Sequence, residues 1–396
     1  MSLRVGLLAL AALTVAAACG TTSTDAVQTS PTASAARTAS PSAQASPSPS
    51  PIGSHVPTWA NMSATCNRQP TAHEALLVMQ GSPAYVLADV TNATHPQIIC
   101  TIIGSSVPQL VTQRMISWSA SQTPGQPGPS MLLTLDLFAG ATPTTVASWQ
   151  GGLFMDGLHA WSPDESSMAY ISSDASAVNL HLLSGGGDRV IATLGSVPGR
   201  GVSLTEDDAF LGFSADGQYF ALVQTFSGSG AQLQIRKTRD GTLAYSQANG
   251  TMAAWSTTGS DLYFREPNKT EIKVWDPKSG VTQLFALTQA WIRPSTDAGD
   301  DNVAYTARDA TGGLPHVWLY GHGGRAGGQL GNVRSSPIFL NATTLFMIEE
   351  TACSNCGPGL ATQPDGKTFT YDLGTQTETA STIASAVGAW PRVGQA

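Results

Sequence analysis

The sequence predicts an all-β chain folded as a single β-propeller of four-stranded blades. Three observations carry this expectation. A strand–turn–strand unit recurs along the chain. Successive copies are separated by enough residues for two more strands. Charged residues are only 12% of the chain, so Ser, Thr, Gly and Gln supply the polarity. The clearest unit is Leu158–Ser173, LHAWSPDESSMAYISS. Pro163 suits the second position of a type I turn because its ring fixes φ near −65°, and Asp164 follows as a turn former. Met168–Ser172 then carries the β-formers Tyr170 and Ile171.

The second strand of that unit begins seven residues after Trp161, at Met168. The same offset joins Phe213 to Phe220, Trp255 to Leu262, Pro108 to Met115 and Pro337 to Thr344. A looser copy, two residues longer, joins Pro294 to Val303. The anchors 108, 161, 213, 255, 294 and 337 are spaced by 53, 52, 42, 39 and 43 residues. Asn179–Leu183 and Arg189–Leu194 fill one interval with two strands. Glu271–Trp275 and Thr282–Ala286, joined by the turn DPKSG, fill another. Four strands per unit at about 40–50 residues is the pattern of propeller blades.

The SPD and SADG turns after Trp161 and Phe213 resemble the WSPDG repeat of TolB-type propellers. The resemblance covers residues 70–396 or so. Two units carry the motif well, while STTGS in the fifth unit and FLNAT in the seventh depart from it. It implies an extracytoplasmic protein from a mostly non-catalytic family.

In chain order, residues 1–19 read as a lipoprotein signal peptide. Arg4 gives a positive start, and Val5–Ala18 is an uncharged apolar run too short for a confident membrane span. Ala16-Ala17-Ala18 directly before Cys19 looks like a bacterial lipobox, so Cys19 is the expected lipidation site. The competing readings are an ordinary signal cleaved near Ala18 and a short anchor. Residues 20–57 are a Ser/Thr/Pro/Ala-rich linker with Asp25 and Arg37 as the charges. Such a segment cannot bury enough apolar surface to offset its ordering entropy. As a coil it would span about 35 Å, and fully extended about 120 Å.

Residues 58–396 form the propeller. With Arg4, Arg37 and Asp25 set aside they hold 17 basic and 26 acidic groups. That balance offers no basic stripe for nucleic acid and disfavours electrostatic membrane docking. Three strand-like runs precede Pro108: Ala75–Met79, Tyr85–Val90 and Gln97–Ile102. They make a blade without a first strand. The C-terminal run Ala386–Pro391 is the expected donor, which closes a ring of seven blades and removes an exposed edge. The rival donor is Cys66–Thr71, and six blades stay open because the sixth unit is weak.

Four cysteines follow Cys19: Cys66, Cys100, Cys353 and Cys356. Sequence allows three pairings, and we favour Cys66–Cys100 with Cys353–Cys356. The Gly357-Pro358-Gly359 run after Cys356 argues against the helix start that a redox pair wants. A zinc site would need a second, suitably spaced ligand pair. The histidines are scattered, and His73-Glu74 has Leu77 where a zinc-protease helix needs its second His. No G-x-S-x-G elbow and no P-loop occurs. Gly185–Gly187 and Gly323-Gly324 read as hairpin turns. Glu206, Asp207 and Asp208 read as a solvated loop or, more sharply, a cation or sugar contact.

The expected function is a membrane-tethered, extracytoplasmic, non-catalytic scaffold binding an envelope protein or glycan. It is expected to be a monomer without cofactor or metal. The alternative is a carbohydrate-active hydrolase or lyase, which requires carboxylates or His ligands converging on the channel. Gln122–Ser130, Ser196–Ala209, Asp309–His316 and Glu350–Lys367 are the longest candidate mouth loops.

Overall fold

The computed structural model describes residues 60–71, 74, 76–80, 84–92, 94–104, 106, 108–121, 130–140, 142–149, 158–173, 176–196, 210–226, 230–256, 259–266, 271–286, 290–299, 302–308, 314–321, 328–330, 332–341, 343–352, 362–383 and 386–390. The chain separates into two units, Met1–Ser48 and Pro49–Ala396, and every described residue belongs to the second.

Among the described residues, seven antiparallel sheets form seven blades, built from 29 strands. Blade 1 contains β1 (Ser63–Cys66), β2 (Leu76–Gln80), β3 (Tyr85–Asp89) and β4 (Gln97–Ile103). Blade 2 is β5 (Gln109–Leu110), β6 (Met115–Ser121), β7 (Ser130–Asp136) and β8 (Thr144–Trp149). Blade 3 is β9 (His159–Trp161), β10 (Ser167–Ser173), β11 (Ala177–Ser184) and β12 (Gly187–Ser196). Blade 4 is β13 (Phe210–Phe213), β14 (Tyr219–Phe226), β15 (Gly230–Lys237) and β16 (Leu243–Ala248). Blade 5 is β17 (Thr251–Trp255), β18 (Leu262–Arg265), β19 (Glu271–Asp276) and β20 (Gly280–Ala286). Blade 6 is β21 (Ala290–Gly299), β22 (Asn302–Arg308), β23 (His316–Gly321) and β24 (Gln329–Leu330). Blade 7 is β25 (Arg334–Asn341), β26 (Thr344–Ala352), β27 (Thr362–Asp372) and β28 (Thr377–Ser381). The last strand, β29 (Ala386–Trp390), returns to blade 1.

That return settles the closure. β29 pairs antiparallel with β2, Leu76 opposite Trp390, so the C-terminal strand is the first strand of blade 1. The rival donor, Cys66–Thr71, gives only Cys66 to a strand, and residues 67–71 belong to none. Ser63–Cys66 forms β1, a fifth strand on the outer edge beside β4. Cys66 and Cys100 face each other in that register and form a disulfide. The bond ties the chain's entry to blade 1 across 34 residues of sequence. Closing a loop of that length contributes about 3–4 kcal/mol in the chain-entropy account. Cys100→Ala with Cys66→Ala should therefore lower the melting temperature by several degrees, and scanning calorimetry reads this directly. An unchanged melt would mean that the pairing of β1 with β4 does not need the bond. Cys353 and Cys356 lie outside the described residues, as does Cys19.

Blades differ from the constant seven-residue offset in three places. Blade 2 pairs Gln109 with Ser117 and Leu110 with Ile116, a register in which Met115 falls beside Val111, three residues beyond Pro108. Blade 6 pairs Ala298 with Val303 in place of Pro294, and blade 7 pairs Asn341 with Thr344 in place of Pro337. In both blades β-bulges shift the register further up the hairpin, which fixed spacing cannot anticipate.

Blade-on-blade packing follows the two-residue alternation of the second strands. In β10, Met168 and Tyr170 face blade 2, packing with Leu132 and Trp149. Ala169 and Ile171 face blade 4, packing with Leu211, Phe213, Phe220 and Leu222. Both faces are buried, so the strand reads as a nearly continuous apolar run.

The turns at the lower end repeat one device. In Ser162–Glu165 the Glu165 amide donates to Ser162 O at 3.0 Å, the bond of a β-turn with Pro163 and Asp164 at its centre. Ser162 Oγ donates to Asp164 Oδ1 at 2.6 Å, and Ser214 Oγ to Asp216 Oδ1 at 2.7 Å in blade 4. The Ser162 hydroxyl, against partial burial, holds the Asp164 carboxyl below the usual range. The residue after the Asp is left-handed in both: Gly217 at φ 68° and Glu165 at φ 60°. Asp216 also reaches blade 5, accepting from Ser260 Oγ at 2.5 Å.

A candidate site at the upper mouth

Each second strand runs from the lower turns towards the opposite, upper end of the ring. The same alternation that packs the blades turns polar there. Two residues beyond Tyr170, Leu222, Phe264 and Met347 stand Ser172, Gln224, Glu266 and Glu349. The corresponding residues of blades 2 and 6 are Ala120, beyond Trp118, and Ala307, beyond Tyr305. Four described blades thus place a hydrogen-bonding side chain at one level near the upper mouth.

The four are held differently. Ser172 Oγ lies 2.8 Å from His181 Nε2 on the neighbouring strand β11. In blade 5 the equivalent diagonal pair is ionic, with Lys273 donating to Glu266. That hydrogen bond, opposed by desolvation, raises the Lys273 pKa. Glu349 accepts from Arg334 Nη1 at 3.2 Å and from Lys367 Nζ at 3.1 Å. Gln224 is fully buried, and neither its amide oxygen nor its nitrogen has a hydrogen-bond partner among the described residues. An unpaired buried amide costs about 1–3 kcal/mol, so its presence needs a reason beyond packing.

Further polar groups lie within and between the blades near or below this level. Ser117 Oγ is 2.7 Å from His159 Nε2, joining blades 2 and 3. Thr306 Oγ1 accepts the Ser336 amide at 3.0 Å, joining blades 6 and 7. Ser335 Oγ donates to Glu350 Oε1 at 2.6 Å. Arg265 is buried beside Tyr305, and burial lowers the guanidinium pKa and raises that of the phenol.

Sequence reasoning placed the site in the mouth loops. Most of Gln122–Ser130, Ser196–Ala209, Asp309–His316 and Glu350–Lys367, with Glu206, Asp207 and Asp208, lies outside the described residues. It missed the polar level inside the ring. The signal was present in AYISS, LVQTF, FREP and MIEE, where each apolar run ends on a polar residue.

No family description and no curated protein matches the sequence. Solved structures do. The chain is similar to TolB from Acinetobacter baumannii, at 16% identity and TM-score 0.41, over 65% of this chain and 63% of that one. It is similar to the propeller domain of the Trilobed protease from Pyrococcus furiosus, at 8% identity and TM-score 0.45, over 69% and 83%. It is also similar to a prolyl endopeptidase, at 10% identity and TM-score 0.55, over 81% of this chain and 50% of that one. The chain thus spans less than two thirds of the TolB and endopeptidase chains. At these identities the likeness is one of fold, and the fold is a seven-bladed β-propeller.

Proposed function

We propose that this protein is a membrane-tethered, extracytoplasmic binding scaffold whose ring presents its upper mouth to a protein or glycan partner. The observation that carries the reading is the polar level formed by Ser172, Gln224, Glu266 and Glu349, each two residues above an apolar residue on the same strand face: Tyr170, Leu222, Phe264 and Met347. Hydrogen-bonding groups at one level around an opening suit recognition of a polar partner. The carboxylates of that level are engaged by cations, Glu266 by Lys273 and Glu349 by Arg334 and Lys367. This favours binding over general acid–base hydrolysis of sugars.

Two experiments test the reading. Replacement of Cys19 by Ser should block lipid-dependent processing and move the protein out of the detergent phase. Unchanged detergent partitioning of C19S would overturn the anchor. Crosslinking in intact envelopes, from a photoreactive residue placed at Ser119 beside the mouth, should capture one discrete partner. Placement at Asp240, in a lower turn, should not. Equal capture from both positions would overturn the assignment of the mouth.

A further inference from the structure

Blade 3 carries an arrangement that binding alone does not use. His181 Nδ1 lies 3.2 Å from Asp188 Oδ1, while its Nε2 lies 2.8 Å from Ser172 Oγ. A carboxylate only accepts, so in the neutral ring Nδ1 carries the proton and Nε2 is the acceptor. The Ser172 hydroxyl must then donate to Nε2. The other Asp188 oxygen accepts from Tyr170 OH at 2.6 Å, and the Tyr170 ring stacks on His181 with centroids 4.5 Å apart. Both partners of the imidazole are therefore fixed. Burial opposes ionisation of Asp188, but the hydrogen bonds from His181 and Tyr170 outweigh it and hold the carboxyl below its usual range.

A second, independent observation lies in the same seam between blades 2 and 3. Trp149, from the upper end of β8, packs on Tyr170 with ring centroids 5.6 Å apart. It is 8% exposed, and its buried Nε1–H has no hydrogen-bond partner among the described residues. A buried donor without an acceptor costs free energy. An oxygen-bearing ligand entering the seam would supply the acceptor.

We propose that Ser172 is a nucleophile for acyl transfer, with His181 as its base, Asp188 and Tyr170 as positioning residues, and small carboxylic esters as the substrate class. The step follows from the tautomer. Ser172 Oγ attacks the ester carbonyl carbon, and its proton passes to His181 Nε2. The carbonyl electron pair moves onto oxygen, which the Trp149 N–H, at the upper end of the seam and one of its two unpartnered indole donors with that of Trp161, is assigned to stabilise. The pair then returns, the C–O bond to the leaving alkoxide breaks, and the alkoxide takes the proton from Nε2. Water, deprotonated by the same nitrogen, releases the acid and restores Ser172. Ser172 is the penultimate residue of β10 and 5% exposed, so the acyl group must be narrow and enter from the upper mouth. This activity goes beyond the scaffold reading and stands or falls separately from it.

The test is covalent labelling of the intact chain by a fluorophosphonate probe, with the adduct located by mass mapping. We expect one adduct, on Ser172, and none in Ser172→Ala. His181→Gln should slow labelling of Ser172 at least 100-fold. Trp149→Phe should slow p-nitrophenyl acetate hydrolysis about 10-fold or more, with Ser172 still present. Circular dichroism melts identify any variant that fails to fold. Wild-type labelling does not depend on the variants. A native chain unlabelled at Ser172, or labelled equally fast in folded His181→Gln, would overturn the proposal and leave the cluster as a sealed structural network.

Discussion

Removing Ala386–Ala396 is expected to abolish the folded ring, while trimming only Val393–Ala396 should leave its melting unchanged. β29 is the inner strand of blade 1, and its partner register runs from Leu76 opposite Trp390 to Met79 opposite Ala386. Without it, β2 presents an unpaired inner edge. Leu76, Val78 and Met79, at 1%, 0% and 8% exposure, lose their cover on that side. Each such side chain is worth about 1.5–3 kcal/mol when fully buried, so three put about 5–9 kcal/mol at risk. That is comparable with a domain's net stability of about 5–15 kcal/mol. The loss is also not local, because blades contact mainly their neighbours and the ring is tied through this one strand. Three forms of the domain from Ser54 onward should be compared by thermal unfolding: intact, ending at Arg392, and ending at Ser385. The first two should melt alike. The third should melt at least 15 °C lower or aggregate, and a melt matching the intact form would show that the ring holds without its closing strand.

The closing strand was legible in the sequence because it completes a pattern. AVGAW follows the last blade and the first blade lacks a leading strand, so repeat arithmetic pairs the two. Outer strands were legible too: β11, β12, β19 and β20 contain the runs read from alternation and turn residues. The hairpin registers of blades 2, 6 and 7 were not. A bulge adds a residue without altering the apolar pattern much, so spacing between anchors cannot reveal it. β1 was missed as a fifth strand because SATC alternates without large apolar residues, and its edge position needs none. The disulfide partner could be favoured from the compartment and cysteine parity, while the facing register of Cys66 and Cys100 comes only from the pairing of β1 with β4.

The site was less legible than the fold, for a physical reason. His181 and Ser172 are nine residues apart and meet diagonally across β10 and β11. Asp188 comes from a third strand, reached only after the β11–β12 turn. No local motif encodes that meeting, because it depends on two registers at once. The bulges between Val178 and Asn179 and between Leu180 and His181 move Asp188 relative to any ideal ladder. Arg334 and Glu378 are harder still, being 44 residues apart on opposite strands of blade 7.

Truncating Arg334 should be the most damaging single substitution among the described polar residues. Its side chain is 2% exposed and crosses the face of blade 7. Nη2 and Nε donate to the two Glu378 oxygens at 2.7 and 3.2 Å, a two-pronged carboxylate contact. Nη1 donates to Glu349 at 3.2 Å and to Val333 O at 3.0 Å. The guanidinium carbon sits 3.6 Å from the centre of the Phe369 ring. One residue therefore joins the inner strand β25 to β26, β27 and β28. Arg334→Ala leaves two partly buried carboxylates facing each other across a void, which should cost about 3–5 kcal/mol. In a ring of this size that is a fall in melting temperature on the order of 5–10 °C. Arg334→Lys should fall between, since an ammonium keeps the charge but loses the fork and the stacking plane. The informative comparison is Arg334→Met combined with Glu378→Leu. If most of the Ala penalty comes from stranding Glu378, removing both charges restores much of it, because a buried ion pair and a well-packed apolar pair are often similar in net stability. A double-mutant cycle on melting free energies measures that coupling. A coupling near zero, or an Arg334→Ala variant that melts with the wild type, would mean that blade 7 is held by its ladder and apolar contacts alone.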